Sequence, residues 1–192
     1  IFRSYQNDTY GFLTYSEGCN DDVNKFIWSG LGWNPQTGVD EILRQYGRYF
    51  IGERYAEGMA QGLLALEQNW KGPLLTNSGV ETTLAQFQEM ERTASPADLL
   101  NWRFQQALYR AHYDAFLRDR LIVETAQQDQ ATEVLRQAKR IGSLTALEQA
   151  HAILAQATLR PASEDRRTRV NELAEALFQS IHMQLSSGRY QG

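Results

Sequence analysis

Between Glu17 and Lys25 the sequence runs Glu-Gly-Cys-Asn-Asp-Asp-Val-Asn-Lys, setting Glu17, Asn20, Asp21 and Asp22 within six positions. Carboxylates and amides at that density can act as general acid, general base or nucleophile, or accept hydrogen bonds from sugar hydroxyls. Gly18 allows the backbone a tight turn or a close approach to a ligand. The same residues also read as a helix entrance. Asn20, Asp21 or Asp22 is a suitable N-cap, and Lys25 is placed to pair with Asp21 at i,i+4. A metal reading is weaker. The spacing of Asn20, Asp22 and Asn24 is that of a calcium loop, but the glycine and distal Glu such a loop needs are missing. Trp28 and Trp33 flank a helix end and read as packing anchors, with a stacking surface for a sugar ring as the alternative.

Elements must hold these groups. The run Thr9–Tyr15 is rich in β-branched and aromatic residues, which predicts a short strand leading into the acidic turn. Strand ends that open into helices are where α/β folds place reactive groups. Strand signals then stop, and a lone strand has no ladder to complete. The expectation is an extended segment over 1–20, the last strand and loop of a preceding barrel, followed by a helical domain over 21–192. Ile1 in place of an initiator Met adds to the expectation that this is part of a longer polypeptide.

Helix signals fill the rest. Segments are predicted over Val23–Leu31, from Thr37 to about Ile51, and over Glu53–Trp70. Ser78 to Glu81 reads as a capping box opening a fourth. Ser95-Pro96-Ala97-Asp98 combines an N-cap, a proline at the first helical position and an acid at the third. The helix it opens is expected to run from Pro96 to about Arg140 with room for a bend, with apolar residues on several faces, as befits a central helix. Ser143–Leu159 and Ser163–Leu185 complete an all-α bundle of six to seven helices, the last with a stripe of Val170, Leu173, Leu177, Ile181 and Leu185. On the long helix Arg103, Arg110, His112, Asp114, Arg118 and Arg120 invite an active-site reading. Arg110 and Asp114, one turn apart, are expected to pair, and the three histidines to be structural.

Bulk properties exclude several classes. Hydrophobic residues make up 42% and charged residues 22%, which fits a folded domain. The net charge of −4 is the wrong background for nucleic acid. No run approaches the roughly 20 apolar residues that span a bilayer, so no membrane is expected. Cys19 is the only cysteine, which rules out an internal disulfide. No metal or cofactor fingerprint is present.

The stretch Tyr15-Ser-Glu-Gly-Cys-Asn-Asp-Asp-Val-Asn-Lys-Phe-Ile-Trp28 is followed by Gly32-Trp-Asn-Pro35 and Arg44-Gln-Tyr-Gly-Arg-Tyr-Phe-Ile-Gly52. Together they resemble the region after the catalytic barrel in large bacterial proteins related to α-glucuronidases and similar glycoside hydrolases. The resemblance implies a C-terminal helical domain packed on its parent barrel and contributing a loop to a sugar site. By position it makes Glu17 the candidate catalytic carboxylate, and Asn20, Asp21, Asp22, Lys25 and Trp28 candidate contacts to an oligo- or polysaccharide. It also implies a secreted or periplasmic protein. Because glycoside hydrolysis needs two placed carboxyl groups, the chain alone is expected to be inactive. A helical interaction or scaffold module, in which the acidic stretch is only a cap, is the alternative.

Overall fold

The computed structural model describes residues 2–5, 7–16, 18–159 and 162–183. Those residues are all-α. Seven helices have twelve or more residues: α2 (Asp22–Trp33), α3 (Val39–Phe50), α4 (Ala56–Gln68), α5 (Gly79–Arg92), α7 (Trp102–Arg136), α9 (Ser143–Leu159) and α10 (Glu164–Ile181). Single turns α1 (Phe2–Tyr5), α6 (Pro96–Leu99) and α8 (Ala138–Ile141), and short 3-10 turns at Gly18–Asp21, Glu53–Tyr55 and Leu74–Thr76, join them. The element count thus exceeds the six to seven expected.

The predicted strand is not present among the described residues. Gly11–Ser16 has no regular secondary structure, and Leu13 is 98% exposed. Composition favoured a strand, but no neighbouring strand offers a ladder there, and backbone pairing is what makes a strand. Phe12 packs on the Cα of Gly32 in α2, so tightly that a Cβ on Gly32 would lie 2.4 Å from its ring.

The predicted long helix is interrupted. The Ser95 capping box forms as its sequence demands: Ser95 Oγ accepts from Asp98 N, and Ser95 N donates to the Asp98 carboxylate. That turn ends after four residues. Asn101 then caps α7 afresh by accepting from Arg103 N at 3.0 Å, while its own amide donates to Phe50 O. The Ser78 box does not form; Asn77 Oδ1 accepts from Gly79 N instead. Glu81 turns away from the helix entrance because Arg166 engages both its oxygens.

At roughly 50 Å for 35 residues, α7 is the spine. Its first half is buried on several sides: Phe104, Leu108, Ala111 and Ala115 form one stripe, flanked by Tyr109 and Phe116 on one side and by Ala107 and Asp114 on the other. It packs on α5, α10 and α9, as a central helix should. The main core combines these residues with Met59, Val80, Leu84 and Phe87 of α4 and α5. From α10 it takes Val170, Leu173 and Leu177, with Ile181 at its edge; Leu185 lies outside the described residues. Ile42, Leu43 and Tyr46 of α3 are also buried, and α3 joins α2 to α4.

Candidate functional site

Gly18 adopts a φ of 83°, a left-handed value that glycine reaches without strain. It starts the 3-10 turn that delivers the chain to α2. Asp21 occupies the N-cap position of α2, yet no side chain caps that helix. Asp22 does different work. Its Oδ2 accepts from Arg103 Nε at 2.7 Å and from the Tyr46 hydroxyl at 2.8 Å, and its Oδ1 accepts from Arg103 Nη2 at 3.1 Å. The guanidinium lies 3.9 Å from the Phe50 ring centroid and 4.2 Å from that of Trp102. A planar fork held between aromatic faces suits arginine and not lysine. Burial, and then the hydrogen bond to the Asp22 carboxylate, push the Tyr46 hydroxyl well above the usual phenol range. Tyr46 therefore stays a neutral donor.

Asn20 is exposed, and its Oδ1 accepts a long 3.5 Å hydrogen bond from Gln106. Lys25 does not pair with Asp21; its Nζ donates to Gly18 O at 2.7 Å and pins the turn. Trp28 is half-buried, whereas Trp33 stands 93% exposed, contrary to its reading as a packing anchor. Glu17 lies outside the described residues. Asp22 has both oxygens engaged within the protein, so it fixes the turn to α3 and α7. No group of three or more His, Cys, Asp or Glu side chains among the described residues could hold a metal ion.

Beside this clamp Phe26 stacks edge-on against Tyr46 and Phe50. With Gln45, Arg48 and Tyr49 it lines an open groove of about 530 Å³.

Two further polar clusters come from the long helix. Asp114 is fully buried and accepts from Asn69 Nδ2 at 3.0 Å, Trp70 Nε1 at 2.9 Å and Arg110 Nε at 2.8 Å. The expected Arg110–Asp114 pair is thus present, within a network that the sequence did not disclose. Thr83 and Asn77 extend it through Asn69, so the carboxylate ties α4, α5 and α7 together. Further along α7, Arg166 bridges Glu81 of α5 and Asp119 of α7. Arg169 pairs with Glu91 and Glu172. His112 sits in the same interface, 5% exposed, with no hydrogen-bond partner for either ring nitrogen among the described residues. Burial lowers its pKa below the ordinary imidazole value; Glu91 opposes the shift, and Arg169 and Arg166 reinforce it.

No family model, curated protein or solved structure matches the chain. The described helices include none long and apolar enough to cross a membrane.

Proposed function

We propose that this chain is the helical domain of a glycoside-hydrolase-like protein, docked on a catalytic barrel and presenting the turn at residues 17–25 to a sugar site. One observation carries the reading. The segment before the turn has strand-forming composition but lies in solvent at Tyr10 and Leu13, while the turn itself is bolted to the bundle through Asp22, Arg103 and Tyr46. A rigid foot behind an uncovered apolar segment is what a domain needs to place a loop against another body. In this reading Glu17 is the candidate acid or nucleophile, and Asn20, Asp21, Lys25 and Trp28 are candidate substrate contacts. Asp22 positions them. The partner carboxylate comes from the barrel, so the chain alone is inactive. Polysaccharide processing would place the protein outside the cytoplasm, in a secreted or periplasmic setting.

The test is turnover of uronides and neutral glycosides by the longer polypeptide to which the proposal assigns this chain, wild type against Glu17→Gln. Loss of ~100-fold or more with folding intact is the scale of an acid–base group. Unchanged turnover removes the reading.

A second reading, a helical scaffold module with no part in catalysis, draws on the engagement of both Asp22 oxygens. It treats the acidic stretch as a helix entrance. Glu17→Gln would then leave turnover intact.

A further inference from the structure

Past Asp119, where Ser163 and Arg166 of the α10 end meet it, α7 leaves the main core. Ala131 is its only fully buried residue beyond that point. There α7 runs beside α9, which returns along it after the reversal at Gly142. The seam between them is built from small residues, Ala131, Ala146 and Ala150, all buried. This makes a two-helix arm.

A second apolar stripe runs along α9. Leu144, Leu147 and Leu154 are 75%, 48% and 49% exposed. With His151 they follow a 3-4-3 spacing, the heptad spacing of a helix–helix seam. At about 100° per residue the stripe lies roughly a third of a turn from the alanine seam. Because α9 runs against α7, the same handedness brings Leu121 and Leu135 of α7, both exposed, to that side of the arm. Nothing among the described residues covers this face.

Charge identifies what does. Along this part of α7, Glu124 is paired with Arg120 and Glu133 with Arg136. Asp129 and Lys139, exposed and of opposite sign, have no ion-pair partner among the described residues. A second copy laid antiparallel, crossing near Leu147 and His151, brings Lys139 of each arm level with Asp129 of the other. A parallel copy would instead set Lys139 against Lys139, which like-charge repulsion disfavours. Size agrees. A face about 25 Å long and two helices, about 20 Å, wide buries roughly 500 Å² per copy and roughly 1,000 Å² in all. That is the lower edge of a specific interface.

We propose that the exposed leucine face of the α7–α9 arm is a homodimer interface, in which two copies of the chain pair antiparallel and Asp129 of each meets Lys139 of the other. The inference is independent of what the turn at residues 17–25 touches. Sedimentation velocity and light scattering of the 192-residue chain, from about 1 μM to about 1 mM, read it directly. The expected result is a reversible dimer with a dissociation constant of about 10–100 μM. Leu147→Glu with Leu154→Glu should give a monomer of unchanged helicity and melting temperature. Asp129→Lys or Lys139→Glu alone should weaken the dimer by about fivefold or more at low salt, and the two together should restore it. A monomer at every concentration, a dimer indifferent to the leucine substitutions, or charge swaps without mutual rescue would each overturn the proposal.

Discussion

Arg103 and Asp22 stand 81 residues apart in sequence, yet the guanidinium grips both oxygens of the carboxylate, with Tyr46 donating to one of them. Three helices meet in that contact. Both side chains are about one-fifth exposed, so the pair is only partly screened. Removing one member strands the others. Asp22→Ala is expected to destabilise the fold by about 2–3 kcal/mol, because it leaves a cation and a phenol without their acceptor. Arg103→Lys should lose most of that, since an ammonium cannot reproduce the fork or the stacking on Phe50 and Trp102. A double-mutant cycle between the two positions, read by urea unfolding, should give a coupling of about 1–3 kcal/mol.

Asp114 offers a sharper test of buried polarity. Its three donors come from Asn69, Trp70 and Arg110. Asp114→Asn keeps the shape but turns one acceptor into a donor facing N–H groups. A loss of about 2–4 kcal/mol is expected. Arg110→Ala should cost less, because that side chain is half exposed and its carboxylate retains two partners.

His112 makes stability depend on pH. Its folded pKa lies below the unfolded value of 6.5, so the native state binds fewer protons than the unfolded chain as pH falls through that value. Stability contributed by the neutral imidazole is complete well above pH 6.5 and is lost progressively below it. His112→Leu should flatten this acid-side slope. Above pH 7 it should hold or raise stability, by up to about 2 kcal/mol, since two unpartnered ring nitrogens leave the core. Melting temperatures across pH 5 to 8 check both parts. A slope equally steep in the variant would assign the acid sensitivity to other groups.

Close helix contact sets the remaining constraint. A Cβ on Gly47 of α3 would lie 3.1 Å from Met59 Cβ and 3.2 Å from Ala56 Cα of α4. Backbone cannot yield as a flexible side chain can. Gly47→Ala is expected to cost about 1–3 kcal/mol despite alanine's better helix propensity, measurable as a lowered urea midpoint.

Local signals were legible where they were self-contained. Ser95 and Asp98 lie within one turn, and the expected N-cap forms there, closed by Asp98 into a full box; α9 spans the expected residues, and Arg110 finds Asp114 one turn away. Signals that depended on distant chain misled. Ser78 and Glu81 match a capping box, but Arg166, 85 residues on, takes the glutamate. Lys25 matches an i,i+4 partner for Asp21, but its ammonium donates to Gly18 O. Thr9–Tyr15 has strand composition, and no amount of composition supplies a neighbouring strand. In the candidate site, the acidic stretch was visible from residue types alone. Which acid is locked in place was not, because Arg103 and Tyr46 reach Asp22 only through tertiary packing.

The central claim, that the turn at residues 17–25 serves a sugar site from a platform fixed by Asp22, is tested most directly by comparing two variants of the longer polypeptide. Glycoside turnover and melting temperature are measured for Glu17→Gln and Asp22→Asn. The expected result is a split: Glu17→Gln loses ~100-fold or more in turnover with its melting temperature kept, while Asp22→Asn loses melting temperature. Turnover unchanged in Glu17→Gln would contradict the claim and leave the acidic turn as a helix entrance.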